Sequence, residues 1–153
     1  MATRMAKTMT ITLQAIKCTQ VAGDSGATLE FFGDLFARGM VLDENGNMQV
    51  GHSVRLFHLD DDDDQSLALH TELPVNASSP LLVFKGDFLE LGGTLVEEDD
   101  FSDDLLGNGF RRIPYNQIKN ETISVGFTGR GRDEGQELVA RFLVDRVQEK
   151  EIP

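Results

Sequence analysis

Carboxylates are the side chains in this sequence whose type and spacing could do chemistry. Asp60 to Asp64 form an unbroken run, and a second block holds Glu97, Glu98, Asp99, Asp100, Asp103 and Asp104. Together they supply eleven of the 26 acidic residues; without them fifteen acids face fourteen Lys and Arg. The net charge of −12 is therefore concentrated in two segments, where repulsion is costly unless water or a cation relieves it. A hard divalent cation such as Ca2+ takes about six to eight oxygen ligands from carboxylates, backbone carbonyls and water. Asp60, Asp62 and Asp64 stand at alternate positions, so an extended backbone aims their carboxylates to one side. The chemistry implied is cation binding, and the first question is whether the two segments share the cation. The pattern is not an EF-hand, whose loop needs Gly at its sixth and Glu at its twelfth position, where this chain has Gln65 and Thr71.

Other chemistries find less material. His52, His58 and His70 lie near one another in sequence, but no Cys or His pair has zinc-ligand spacing, and His58 reads as a wall or surface residue of a strand. Neither a strained nucleophile turn nor a phosphate-binding loop is present. Paired carboxylates serve glycosidases, yet with no Trp and only Tyr115 the aromatic platforms of a sugar site are scarce. The chain is read as non-catalytic. Nucleic acid is not an expected partner, because Arg111-Arg112 and Arg130-Gly131-Arg132 are the only basic concentrations. Cys18 is the single cysteine, which rules out an intramolecular disulfide. No apolar run approaches the roughly 20 residues that span a bilayer. Met1 to Lys7 lead into an alternating segment rather than an apolar signal core, so the expected location is cytoplasmic, with leaderless export the remaining route.

The elements that must carry the acids show period-two alternation from end to end. Met9, Ile11, Leu13 and Ala15 alternate with Thr10, Thr12 and Gln14, and the register shifts before Ile16 and Cys18 as at a bulge. Residues 27–41, an aromatic run interrupted by Gly33-Asp34 and Gly39, read as two strands with a turn between them, and Asp43 to Asn47 is a turn by its Asn-Gly pair. Val54 to Leu59 is a strand that ends directly on the five aspartates, and Leu67 to Leu73 resumes after them. Pro74 and Pro80 frame a polar connection. Leu81 to Phe84 and Phe88 to Val96 follow as strands, and Gly92-Gly93 signals a bulge or a close approach by another backbone. Phe110 to Ile113, Thr122 to Thr128 and Gln136 to Val147 complete the set, the last two pairing across residues 129–135. Leu138, Ala140, Phe142 and Val144 keep strand spacing in the one stretch of helical composition.

The expected fold is all-β, an antiparallel two-sheet β-sandwich of about eight to ten strands. With 153 residues, 40% of them hydrophobic, one core suffices. A single domain is expected over residues 8–147, with 1–7 as an N-terminal arm and 148–153 as a C-terminal tail.

Val96 to Gly107 resembles the calcium-binding loop of C2 domains. There a strand enters an acid-x-acid pair, passes an aromatic-Ser turn, here Phe101-Ser102, and leaves through an acid followed by two apolar residues and Gly. Glu97, Asp99 and Asp104 take the acidic positions, with one residue deleted between Ser102 and Asp104 and Glu97 in place of the usual aspartate. The resemblance implies a C2-like sandwich that binds Ca2+ through Glu97, Asp99 and Asp104. It also implies a second ligand loop at Asp60, Asp62 and Asp64, with Asp24 or Asp43 contributing from a third. The basic lipid-binding strand of membrane-docking members is not visible, so peripheral membrane contact is unsupported. Two functions follow. One is a Ca2+-binding, non-catalytic interaction module with a protein partner. The other is a structural, self-assembling subunit of a filament, sheath or multi-protein complex, joined through strand edges and the patch around Phe31, Phe32 and Phe36, whose acidic loops are only solvated.

Overall fold

Period-two alternation becomes paired strand along almost the whole of what is described. The structure is a computed structural model that describes residues 2–20, 28–63, 65–98, 103–128 and 136–153. Nine strands lie within them: β1 Arg4–Gln20, β2 Thr28–Leu42, β3 Met48–Leu59, β4 Gln65–Ala68, β5 Glu72–Phe84, β6 Phe88–Glu98, β7 Asp103–Pro114, β8 Glu121–Thr128 and β9 Glu137–Ile152. Sheet A has the order β5-β1-β9-β8; sheet B has the order β3-β2-β6-β7, with β4 also on β2. All pairings are antiparallel. The architecture is the expected two-sheet β-sandwich.

Alternation decides what the sandwich buries. On β8, Ile123, Val125 and Phe127 are buried while Ser124, Gly126 and Thr128 are exposed, and β9 sends Leu138, Ala140, Phe142 and Val144 to the same interior. From sheet B, Phe31, Leu35, Leu89, Leu91 and Leu95 face them, all fully buried. Each such side chain contributes about 1.5–3 kcal/mol of burial, so the core rather than any surface contact holds the two layers together.

Three expectations give way to longer strands and one to a turn. Residues 27–41 are not two strands with a turn between them, because β2 runs unbroken from Thr28 to Leu42. Pro74 and Pro80 do not frame a connection: both lie inside β5, opposite Ala15 and Thr10 of β1. β5 is the edge of its sheet, where a missing N–H can face solvent. A bulge there, with Asn76 at φ 53°, takes up the register shift between Leu13 and Ala15. Leu67 to Leu73 is divided by a turn between β4 and β5, with His70 at φ 66°. The expected arm and tail are largely sheet, since Arg4 to Lys7 pair with Glu149 to Ile152. Lys7 is tied in further, its Nζ donating to the carbonyls of Tyr115 at 2.8 Å and Ile118 at 3.1 Å.

Three glycines set how closely sheet B packs edge to edge. A Cβ on Gly92 would lie 1.9 Å from the carbonyl oxygen of Gly109, one on Gly93 2.0 Å from that of Asp34, and one on Gly33 2.2 Å from that of Thr94. Their φ angles, +146°, +158° and +142°, are ones that L side chains rarely adopt. The close approach anticipated at Gly92-Gly93 is thus real, and Gly33 belongs to it. Gly92→Ala is expected to cost roughly 3 kcal/mol or more in urea unfolding, because strain and a backbone clash coincide. Gly86→Ala, at φ +95° with nothing within 4 Å, is expected to cost only about 1 kcal/mol. Equal costs for the two would contradict the packing argument.

Candidate functional site

The N-terminal half of β2 brings the acidic segments to one end of sheet B. On one edge, β3 finishes with Leu59 opposite Gly33, and β4 starts with Gln65 opposite Phe31. β3 and β4 therefore continue one another along the same edge of β2. Leu59 and Gln65 are only two residue steps apart along β2, with Phe32 between, about 7 Å of strand, so the backbone of Asp60 to Asp63 is pushed out of the sheet. Part of the excursion is a single 3-10 turn, Asp61–Asp63, closed by the N–H of Asp63 on the carbonyl of Asp60 at 3.0 Å. On the other edge, Phe31 pairs with Glu97 of β6. The two acidic segments thus flank one strand at one level, about 10 Å apart by strand spacing.

The second segment meets acid across its own pairing. Glu97 is opposite Asp104, and Glu98 is opposite Asp103, in the β6-β7 ladder. Like charges directly opposite destabilise an antiparallel pair unless something lies between them to compensate. Glu97 also keeps the core-facing parity of Leu91, Gly93 and Leu95 and is buried, at 8% exposure. Burying a carboxylate demands compensation of its charge.

The first segment is held by a histidine. Nδ1 of His58 lies 2.5 Å from Oδ1 of Asp34, and its Nε2 lies 2.9 Å from Oδ1 of Asp60. Arg55 stands 3.7 Å from the same oxygen of Asp34. A ring with a carboxylate at each nitrogen donates both hydrogen bonds only as the imidazolium. The hydrogen bond to Asp34 accordingly raises the pKa of His58, against desolvation and the Arg55 charge and with help from the charges of Asp34 and Asp60.

Of the anticipated ligands, Asp60 is engaged by His58 and Asp62 sits exposed in the 3-10 turn. Glu97 is buried nearby, and Asp104 is its cross-strand partner. Asp64, Asp99 and Asp24 lie outside the described residues. Asp43 is at the other end of β2, in the β2-β3 hairpin. Its carboxylate is occupied there by the N–H groups of Asn47 and Asn45 and by Gln49, which lower its pKa. Asp43 therefore does not join the other acids. Among the described residues no group of three or more His, Cys, Asp or Glu is arranged to hold a metal ion. Asp34, Arg55 and the bridging role of His58 escaped the sequence reading. Their signal was two charged residues at outward-facing strand positions next to the acidic run, visible only once the β2-β3 register pairs Asp34 with His58.

Elsewhere, a cleft of about 480 Å³ beside the β7-β8 connection is lined by Arg111, Asn116, Gln117, Lys119 and Glu121 over Ile113 and Ile123. None of these is a Ser, Cys or His that could act as a nucleophile or a neutral-pH base. No helix is long and apolar enough to cross a membrane among the described residues.

The chain matches no protein-family profile and no curated protein sequence. It is similar to solved structures that include human GIVD cytosolic phospholipase A2 in complex with methyl gamma-linolenyl fluorophosphonate, at 14% identity and TM-score 0.44 over 97% of this chain and 19% of that one. A C2 domain is similar at 20% identity and TM-score 0.32, over 90% of this chain and 98% of the domain. The C2A domain of plant extended synaptotagmin 1 is similar at 10% identity and TM-score 0.37, over 93% and 94% of the two chains. This chain spans about a fifth of the phospholipase, 19% of its length. C2 domains are therefore among the folds to which it is similar, and at these TM-scores the likeness carries nothing about ligand or activity.

The His58 cluster has a signed pH dependence. Its folded pKa lies above the unfolded value of 6.5, so the stability it contributes is complete below pH 6.5 and is lost as pH rises through the folded pKa. Urea midpoints of the protein and of His58→Gln are expected to differ most in mild acid and to converge in mild alkali. A difference that is constant or grows with pH would contradict the bridge.

Proposed function

We propose that this protein is a non-catalytic binding module whose acidic segments bind Ca2+, with Glu97, Asp99 and Asp104 from one side of β2 and Asp60, Asp62 and Asp64 from the other. One observation carries the reading: Phe31 pairs with Gln65 on one edge and with Glu97 on the other, which sets both segments at one end of sheet B. A single ion does not reach across about 10 Å of backbone unless long or looped carboxylates extend toward it. Asp60 to Asp63 leave the β2 ladder between β3 and β4 and so are free to extend toward an ion. The direct Glu97-Asp104 pairing gives a cation a reason to bind, because it would replace like-charge repulsion with shared coordination.

When protonated, His58 donates to both Asp60 and Asp34, so in that form it competes with a divalent cation for the first segment. The ion and the proton are then alternatives there, and Ca2+ affinity rises with pH as His58 releases its proton. A protein partner would meet the surface that the bound ion orders, and the calcium concentration of the compartment the protein occupies would decide whether the site is filled.

Calorimetric titration with Ca2+ is expected to give heat and a raised melting temperature, with stabilisation of about 2.7 kcal/mol at a hundredfold excess over Kd. Chelator should reverse it. The Asp99→Asn/Asp104→Asn variant is expected to lose both signals while remaining folded. Absence of heat and of any melting shift in the unaltered protein would sink the proposal.

A further inference from the structure

In a two-layer sandwich the outer face of each sheet meets solvent, so polar residues alternate with the core set. Sheet A is mixed: Thr10, Thr12, Gln14 and Lys17 on β1 and Ser124 and Thr128 on β8 face outward, and so do Leu82 of β5 and Val139 and Leu143 of β9. Sheet B carries a run of aromatic side chains there. Phe32 and Phe36 of β2, Phe88 and Val96 of β6 and Phe110 of β7 stand opposite in parity to buried neighbours, and Met40 shares their face although it is itself buried, at 6% exposure. None of the six belongs to the core cluster or packs against it.

The rows across this face are ordered. Phe36, Gly92 and Phe110 are cross-strand partners, so Gly92 forms a notch between two rings. In the next row Arg38, Glu90 and Arg112 close an ion triplet. Arg38 Nε donates to Glu90 Oε1 at 2.8 Å, and Arg112 Nη2 donates to Oε2 at 2.6 Å. The Arg38 guanidinium lies 5.0 Å from the centre of the Phe110 ring and 5.7 Å from that of Phe36. Glu90 is 2% exposed, whereas Phe110 is 41% exposed. The triplet keeps one positive charge in excess, on a face where Phe110 is exposed and Phe32, Phe36, Phe88 and Val96 are half-buried.

We propose that this face is a self-complementary interface that joins two copies of the chain. The outward residues of β2 read Phe32, Asp34, Phe36, Arg38, Met40. The order is the same from either end in hydropathy and inverts in charge about Phe36. A two-fold axis lying between two such faces, along the Phe36-Gly92-Phe110 row, sets Arg38 over Asp34 of the second copy. The same axis sets Met40 over Phe32 and Phe88 over Val96. Phe36 and Phe110 meet their own symmetry mates. An isologous contact requires this pattern, in which each patch serves as its own complement. Arg38 of each triplet meets Asp34 of the second copy, a carboxylate it would share with His58 and Arg55. Arg55 shares the Phe36 row and meets its mate, each beside an Asp34 at 3.7 Å. Aligned sheets pack about 10 Å apart with strands within about 30° of each other, which suits phenyl rings on both sides.

Sedimentation velocity across a concentration series, in chelator so that calcium plays no part, tests this. The unaltered chain is expected to sediment as a dimer that dissociates on dilution. Asp34→Arg sets Arg over Arg38 and is expected to weaken the dimer by about tenfold or more. Mixing it with Arg38→Asp restores opposite charges in both pairs and should yield heterodimers that neither variant forms alone. Should Arg38→Asp fail to fold, Phe110→Lys decides: a folded monomer supports the interface. A monomeric unaltered chain at every concentration, or a dimer that neither Asp34→Arg nor Phe110→Lys weakens, overturns it.

Discussion

The register of β2 is the constraint on which the rest of the structure depends. It pairs along both edges, with β3 and β4 in succession on one side and β6 on the other. A slip of one residue would turn Phe31, Leu35 and Ala37 out of the core and Phe32, Phe36 and Arg38 into it. It would also break the fit of Gly33 and Gly93, whose missing side chains let β2 and β6 backbones approach. Hydrophobic parity and glycine placement therefore enforce the same register. That register delivers two acidic segments to one end of the sheet and an aromatic and cationic row to the middle of its outer face.

Charge is distributed along this frame by position rather than by amount. Away from the acidic end, carboxylates are neutralised in place: Glu90 lies between two arginines, and Glu72, at the start of the edge strand β5, is bonded to Arg141, which lowers its pKa. At the end of sheet B, acids meet acids across β6 and β7, and the one described organic cation among the nearby aspartates besides Arg55 is His58. Surface pairs of the Arg141-Glu72 kind contribute little to stability, so the excess of negative charge at the acidic end matters for what it attracts. The fold tolerates it because the chain leaves the ladder at Asp60 and accommodates the run outside the sheet.

Most of the sandwich was legible from alternation. The β8-β9 pairing, the hairpin turn at Asp43 to Asn47, the bulge in β1 and the tight contact at Gly92-Gly93 all followed from local chemistry. What failed failed for tertiary reasons. Gly33 and the two prolines of β5 carry turn signals in isolation. Their tolerance inside strands comes from a neighbour's backbone in one case and an open sheet edge in the other, and neither is local information. The arm and tail were too short and polar to announce strands, yet each completes the other. The acidic blocks were plain in the sequence. Their common end of the sheet was not, because it depends on β3 and β4 sharing an edge of β2, and Asp43 was set apart by the same long-range pairing.

The central claim is that both acidic segments answer to the same ion across β2. An amide-resolved NMR titration with Ca2+ reads this most directly. The account predicts that signals from residues 59–65 and from residues 96–105 shift together, with one midpoint and one stoichiometry. Shifts confined to one segment, or two independent titration curves, would contradict it.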